Sequence, residues 1–562
     1  MKNQLLVVVT GILGAMLLAA ADRPNEPPYF AIRNARLVTV SGPVIENGVI
    51  IVAKGLIAAV GTDVAIPPEA WVIEGRGLTV YPGLIDALTT LGLQDPASAG
   101  QGFGGGAELG PPRQPQPATP QQQQRQQTPQ EIARGPEDRP STTTWERAAD
   151  RLVTSDRRLE NWRKAGFTAA VTAPDRGIFS GQAALINLAG ERPNEMVVKA
   201  AVGMRINLSS GGGFGSFPGA LMGVLAYVQQ VFLDTEHYGK AVALYEAQPA
   251  GQQRPAYDRA LEPLRETITA RRPVLIPASS AKDIRRLVEM SQQWGVQPLL
   301  YGAQQAYEAT DALAPKKVPV LVSLKWPEKP RDADPELDES LRTLRLRDRA
   351  HSSPAALHKA GVPFAFYSDG MANPRDMLKN AKKAIDAGLP ADRALRALTL
   401  SAAEIYGASD CLGSLQAGKI ANLTVTDGDL FEEKTKIRMV FVDGRKFEIR
   451  DPGRPTATPT VRLTGKWTIT ANSPQGSQES TADLTMAEDG GLTGSISGSM
   501  GSASITSGWV SENKFSFTMI RSTGSRAMET TYTGTVEGDR MTGSVRLGTF
   551  SIEFSGTRSG GA

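Results

Sequence analysis

Strand-like and helix-like segments alternate through the middle of the chain, from Asp86 to about Leu412. The stretch 272–324 follows the pattern strand, helix, strand, helix, strand, and 356–370 is a helix running into a strand. Strands separated by helices of this size form parallel βαβ units. A run this long predicts an α/β domain whose architecture is a (β/α)8 TIM barrel over residues 86–412.

Short strand-like segments rich in Val, Ile and Ala flank this region on both sides. In residues 29–85 these segments are separated by Gly, Asn and Pro. Residues 418–449 show the same pattern, with Asp-Gly turns at Asp427 and Asp443. Asp-Gly between apolar runs is typical of tight hairpins. We expect residues 28–85 and 413–450 to form one composite β-sandwich.

Two segments of biased composition interrupt the pattern. Residues 96–144 are rich in Gly, Pro and Gln, and a segment so poor in large apolar side chains is expected to be disordered. It follows the first barrel strand, so it is either a mobile lid over the active face or a tolerated surface insertion. Residues 451–460 are a Pro/Thr linker, after which 461–562 alternate apolar and polar residues, as in an antiparallel β-barrel or sandwich module.

The N-terminus has the features of an export signal. Lys2 precedes an apolar run from Leu5 to Leu18, and three alanines stand before Asp22. This pattern predicts a secretory signal peptide over residues 1–21 and a periplasmic or secreted protein; a membrane anchor is the alternative. No later stretch is apolar for long enough to span a membrane after signal cleavage.

Charge and cysteine content exclude some classes of partner and bond. A formal net charge of +3 over 562 residues, without a basic cluster, gives no reason to expect nucleic acid as a partner. The single cysteine, Cys411, cannot form an intrachain disulfide, so the core has to hold the fold together.

Three stretches resemble the amidohydrolase superfamily, most closely its imidazolonepropionase-like and dihydroorotase-like members. They are VYPGLIDALTTLGL (80–93), the segment 361–407 that begins GVPFAFYSDG, and the segment 412–447 that begins LGSLQAGKIANLTV. The resemblance covers roughly residues 28–450. It implies a (β/α)8 barrel with a β-sandwich from both chain ends, and hydrolysis of C–N bonds assisted by one or two metal ions.

The ligand positions that the resemblance implies do not hold ligands in this chain. Where a His-x-His pair is expected on the first barrel strand, the sequence has Leu88 and Thr90, and the histidines of strands 5 and 6 are replaced by Pro277 and Tyr301. Zinc favours imidazole, thiolate and carboxylate. We therefore expect no standard metal site and no cofactor. The three histidines, at positions 237, 351 and 358, are expected to lie away from the barrel mouth.

Four residues remain as candidates for a site at the mouth. Asp369, after the last strand, corresponds to the family's catalytic carboxylate; it is either a general base or a structural cap. Thr90, Tyr301 and Lys325 are candidates for lining a ligand pocket. Lys199 and Arg205 lie in or near the fourth strand, and the sequence does not decide between them as the replacement for the ligand that the resemblance implies there.

Two functions follow from these residues. The first is an exported, degenerate amidohydrolase-family protein that is metal-free and binds a small molecule or peptide, or that serves as the non-catalytic partner of an active relative. Such a protein could form a homo-oligomer, or a hetero-oligomer with an active amidohydrolase. The second is an active hydrolase of C–N bonds other than peptide bonds, using Asp369 in an atypical site.

Overall fold

A computed structural model describes residues 29–93, 139–209, 217–329, 338–449 and 458–558, apart from short gaps at strand tips in the last range. The predicted signal peptide, most of the Gly/Pro/Gln-rich insertion and most of the linker lie outside the described residues. The described residues fall into two compact units, residues 29–449 and residues 458–558.

Strands are numbered in chain order through both units. In the first unit they are β1 (Tyr29–Leu37), β2 (Ile45–Ala53), β3 (Leu56–Gly61), β4 (Trp71–Glu74), β5 (Thr79–Pro82), β6 (Leu84–Thr89), β7 (Phe167–Thr172), β8 (Phe179–Asn187), β9 (Val197–Ile206), β10 (Pro273–Ala278), β11 (Gln297–Gly302), β12 (Val320–Ser323), β13 (Phe364–Tyr367), β14 (Leu423–Thr426), β15 (Ile437–Val442) and β16 (Arg445–Glu448). In the second unit they are β17 (Gly465–Ser473), β18 (Gly476–Met486), β19 (Leu492–Gly498), β20 (Gly501–Ser511), β21 (Lys514–Thr523), β22 (Arg526–Glu537), β23 (Arg540–Leu547) and β24 (Phe550–Arg558).

The α-helices belong to the first unit. They are α1 (Arg157–Lys164), α2 (Pro193–Met196), α3 (Leu221–Ala247), α4 (Glu262–Thr269), α5 (Ala281–Gln293), α6 (Thr310–Leu313), α7 (Leu341–Arg349), α8 (Ser353–Lys359), α9 (Arg375–Asp386), α10 (Ala391–Ala397) and α11 (Leu400–Ile405). Among the described residues, no helix combines the length and apolar character needed to cross a bilayer.

Helix α5 illustrates how the sequence places these elements. The hydroxyl of Ser280 accepts the backbone N–H of Asp283 at 3.2 Å, which satisfies one of the free donors at the helix start. Ile284, Leu287 and Val288 recur at helical spacing and are buried. The helix therefore begins at a capped residue and packs one apolar face on the adjoining strands.

One eight-stranded sheet of the first unit is assembled from both ends of its chain. Its order is β16-β15-β14-β5-β1-β2-β3, and β4 pairs with β1. The hairpin between β15 and β16 turns at Asp443 and Gly444, with φ values of 51° and 75°. A Cβ on Gly444 would lie 2.7 Å from Cα of Gly55, so only glycine fits at that point of the turn.

The second eight-stranded sheet runs β13-β12-β11-β10-β9-β8-β7-β6, and β13 lies beside β6 so that the sheet nearly closes into a barrel. The mixed α/β class predicted from the sequence is confirmed. The uniform (β/α)8 pattern is not fully met, because β8 runs antiparallel to both β7 and β9. Residues 173–178 are too few for the crossover that a parallel connection needs, so the chain reverses there.

The second unit is a closed antiparallel barrel in which β17 to β24 follow one another around the circumference. Alternate residues point inward, and the interior holds a group of fully buried side chains that includes Trp467, Phe515 and Phe517. Of the two architectures that the sequence left open for this module, the barrel is the one that the strands form.

Asp86 on β6 joins the first and last strands of the α/β barrel. Its buried carboxylate accepts the backbone N–H of Ser368, after β13, at 3.0 Å and the indole N–H of Trp162 on α1 at 3.2 Å. Burial raises the pKa of this carboxyl from 3.8 to about 6, although the hydrogen bonds from Ser368, Trp162 and Leu88 act in the opposite direction. Ionising this carboxyl inside the protein thus costs free energy. The same carboxyl links the first barrel strand, β6, to the backbone that follows the last, β13.

We expect Asp86 to make stability depend on pH between about 4 and 6. Because the pKa of Asp86 is higher in the folded than in the unfolded state, the stability that the protonated carboxyl contributes is fully present below about pH 4. This stability is lost as the pH rises through about 6. The shift corresponds to roughly 3 kcal/mol of unfolding free energy. Urea unfolding at a series of pH values should show this slope in the wild type and not in Asp86→Asn. The exposed carboxyl of Asp369 offers a control, since Asp369→Asn should keep the slope; an unchanged slope in Asp86→Asn would contradict the assignment.

Candidate site at the barrel mouth

The site lies where β9 to β13 end, and the strand register decides which side chains meet there. Pro277 on β10 pairs with Tyr301 on β11, Tyr301 pairs with Leu321 on β12, and Ser323 pairs with Tyr367 on β13. Tyr301, Leu321 and Tyr367 belong to the apolar cluster inside the barrel. The rings of Tyr301 and Tyr367 meet edge to face, with centroids 6.2 Å apart. The mouth therefore has an aromatic floor.

Tyr301 is held by the residue that follows β9. Its hydroxyl donates to Oδ1 of Asn207 at 2.8 Å, while Nδ2 of Asn207 donates to the carbonyl of Asp175 at 2.7 Å. Only 8% of Tyr301 is exposed, and this burial raises the pKa of the phenol. Tyr301 is thus a fixed, neutral hydrogen-bonding residue at ordinary pH.

The two basic residues of β9 lie at opposite ends of the strand. Nζ of Lys199 contacts the carbonyl of Gly407 and lies 3.9 Å from the carboxylate of Asp410. Arg205 lies at the end of β9 that leads into the mouth, and its guanidinium carbon is 5.4 Å from the centre of the Tyr301 ring. Of the two residues that the sequence left open, Arg205 is the one at the site.

Asp369 is exposed and lies at a positive φ of 51°, a conformation that Asp tolerates better than most residues. Its Oδ2 accepts the hydroxyl of Ser323 at 2.9 Å. Burial raises the pKa of Tyr367 well above its ordinary value, and the negative charge of Asp369 acts in the same direction. The carboxylate therefore stands beside the tyrosine pair, and the structure brings Asp369 and Tyr301 to the same mouth.

The other two pocket candidates are placed differently. The hydroxyl of Thr90 accepts a hydrogen bond from Nη1 of Arg158 at 3.2 Å, and its carbonyl accepts from Nη2 at 2.9 Å. Thr90 is thus engaged with helix α1. Lys325 is exposed two residues beyond Ser323, and its backbone N–H donates to the Ser323 hydroxyl at 3.1 Å.

The side chains present do not fit the metal centre that the fold implies. Leu88 is 2% exposed and belongs to the apolar interior, Pro277 offers no donor, and the Tyr301 hydroxyl is taken by Asn207. Within the described ranges, no group of three His, Cys, Asp or Glu residues could hold an ion. His351 packs its ring 4.8 Å from that of Trp326. Among the described residues, the carboxylates of Asp369 and Asp175 lie near Tyr301, and no third His, Cys, Asp or Glu joins them to fix the geometry of a divalent ion.

Sequence reasoning did not identify Asn207, Ser323 and Tyr367 as parts of the site. Their signal was present but weak, because each follows or ends a strand whose alternate residues face the interior. Only the register between strands shows that they meet.

We expect Tyr301→Phe to destabilise the protein by about 1 kcal/mol, because the change leaves Oδ1 of the Asn207 amide without its donor. Tyr257→Phe is the matched control, since Tyr257 is 74% exposed, and it should change the unfolding free energy by less than about 0.5 kcal/mol. Equal effects of the two changes in urea unfolding would show that the Tyr301 hydroxyl has no structural role.

The comparisons with known proteins agree on the fold. The amidohydrolase family model matches residues 338–450. The structure resembles that of an amidohydrolase from Thermotoga maritima MSB8, with a TM-score of 0.59, 23% identity and coverage of 75% of this chain and 100% of that chain. No curated protein sequence matches the chain.

Two further structures show weaker likeness. One is a Xaa-Pro dipeptidase with methionine bound in its active site (TM-score 0.45, 16% identity, 75% of this chain and 100% of that chain). The other is a putative prolidase from Bifidobacterium longum (TM-score 0.43, 16% identity, 76% of this chain and 96% of that chain). The resemblance inferred from the sequence is confirmed in that residues 338–450 match the amidohydrolase family model and the fold is similar to that of the Thermotoga maritima amidohydrolase.

Proposed function

We propose that this is an exported amidohydrolase-fold protein that binds a small molecule or short peptide at its barrel mouth without metal-assisted hydrolysis. The observation that carries the proposal is the chemistry at the expected ligand positions. Leu88 and Tyr301 are packed into the interior cluster, and Thr90 is bound by Arg158. These side chains fill or close the volume in which ligands would have to converge on an ion.

The mouth nevertheless keeps features of a binding surface. Arg205 is half-buried, Asp369 is exposed, and both lie beside the paired rings of Tyr301 and Tyr367. Binding sites combine apolar or aromatic walls with a few polar groups that fix orientation. A site of this composition supports recognition of a ligand even where the means of cleaving it are missing.

Export and assembly remain parts of the proposal. The N-terminal pattern that suggests a signal peptide supports a periplasmic or secreted location. Association with a second copy, or with an active relative, would give a metal-free barrel a role beside a catalytic one. Co-purification from the native periplasm, followed by size-exclusion chromatography, tests this; a lone monomer would count against a partner.

The alternative is an active hydrolase of C–N bonds, other than peptide bonds, in which Asp369 serves as the base. One observation favours it: the Asp369 carboxylate is exposed and is oriented by the Ser323 hydroxyl, as a base that accepts a proton would need to be. In this alternative Arg205, the cationic side chain beside Tyr301, would have to polarise the carbonyl under attack.

Metal content and turnover separate the two functions. We expect protein purified without chelators to contain far less than one zinc or manganese ion per chain by elemental analysis. We also expect it to hydrolyse amides, imides and lactams no faster than Asp369→Asn, with or without added metal. Metal-dependent turnover that disappears in Asp369→Asn would overturn the proposal and establish the alternative.

A single histidine placed at an expected ligand position should lower the stability of the protein. We expect Leu88→His to lower the unfolding free energy by roughly 2–4 kcal/mol, because the ring would bury a polar group among apolar neighbours without a partner. Leu56→His, at a leucine that is 43% exposed, is the matched control and should cost less than about 0.5 kcal/mol. If Leu88→His is no worse than this control in urea unfolding, the mouth is looser than the packing indicates.

A further inference from the structure

The barrel mouth contains a cationic side chain with a donor that lacks an acceptor in the described part of the chain. Nε of Arg205 is buried there and has no hydrogen-bond partner. An unpaired buried donor destabilises the folded protein, and a charged donor does so more strongly. Native proteins contain few such groups, and each calls for an explanation. Because Nε itself is covered, an acceptor from outside the protein would have to meet the outer nitrogens of this half-buried guanidinium.

A carboxylate is the acceptor that suits a guanidinium best. The planar fork of an arginine binds both carboxylate oxygens at once, with charge-assisted hydrogen bonds. The Tyr301 ring, 5.4 Å from the guanidinium carbon, holds Arg205 in place by a cation–π contact. This contact favours the conformation in which Arg205 lies beside the ring.

Negative charge balances Arg205 near the same pair of rings; it comes from Asp369 and, at Tyr301, also from Asp175. Asp369 acts on the hydroxyls of both Tyr301 and Tyr367, and Arg205 acts on the same two hydroxyls with the opposite sign. Ser323 occupies Oδ2 of Asp369 and orients the carboxylate. A ligand whose only charge is a carboxylate would be attracted by Arg205 and repelled by Asp369. A ligand that also carries an ammonium group would be attracted by both residues.

We propose that the mouth binds a small zwitterion, a free amino acid or a short peptide, with its carboxylate on Arg205 and its ammonium group on Asp369. The tyrosine pair forms the floor between the two charges. This inference deepens the binding function proposed above and rests on it.

Calorimetry on the full mature chain tests the ligand class. The probes are the twenty free L-amino acids and the glycine-containing dipeptides, screened first by thermal shift at pH 7. The tightest binder is then compared with its N-acetyl derivative, which lacks the ammonium charge, and its C-terminal amide, which lacks the carboxylate. We expect each modified form to bind at least tenfold more weakly than the zwitterion.

Variants assign the two ends of the ligand. Arg205→Gln should weaken the zwitterion at least tenfold and leave the C-terminal amide unchanged. Asp369→Asn should weaken the zwitterion and remove its advantage over the N-acetyl form. Arg205→Lys keeps the positive charge but loses the planar fork, so this variant should bind the zwitterion several-fold more weakly than the wild type does. It replaces Arg205→Gln as the test variant if Arg205→Gln does not fold. Arg271→Gln removes an exposed arginine just before β10, at the opposite end of that strand, and should change nothing.

The outcomes separate this inference from the proposed function. If none of the probes binds, or if the modified forms bind as tightly as the zwitterion, the ligand class is wrong. Unchanged affinity in either Arg205 variant overturns it as well. Hydrolysis of a bound dipeptide in the presence of added metal would overturn the non-hydrolytic function while leaving the ligand class supported.

Discussion

The buried carboxylate of Asp86 is the interaction on which the rest of the barrel depends. It accepts hydrogen bonds from the backbone after β13 and from helix α1, partners that lie 282 and 76 residues away in the chain. One side chain therefore sets how β6 meets the last strand and how the first helix packs outside them. The hydrogen bond from the Ser368 backbone also positions the next residue, Asp369. The position of Asp369 at the mouth therefore depends on the buried carboxylate of Asp86.

Much of this architecture follows from the sequence because it rests on local pattern. Apolar strands between helical segments predicted β10 to β13, and repeated Asp-Gly turns indicated the sheet built from both chain ends. The direction of β8 could not be predicted in this way. All nine of its residues are buried, and burial on both faces is typical of parallel strands, so the residues of β8 do not reveal that it reverses.

The site was harder to predict than the fold for a related reason. Lys199 and Arg205 are six residues apart on β9, so the two-residue period of a strand places both on one face. Only the three-dimensional structure shows that Lys199 reaches the loop after α11 while Arg205 reaches the tyrosine pair. The role of Asn207 depends likewise on a hydrogen bond across 94 residues, which no local pattern reveals. By contrast, the sequence alone showed that Leu88 and Pro277 cannot be metal ligands, because the lack of a donor atom is a property of the residue type itself.

The packing of Leu88 and the tyrosine pair also bears on how such a barrel can change. A metal centre functions only when several ligands converge, whereas each imidazole introduced alone would disturb a close-packed layer and leave a polar ring unpaired. Each single step toward a metal centre would thus lower stability before a complete set of ligands existed. In a barrel packed in this way, single substitutions can change the exposed residues at the rim far more readily than they can assemble a set of metal ligands inside it.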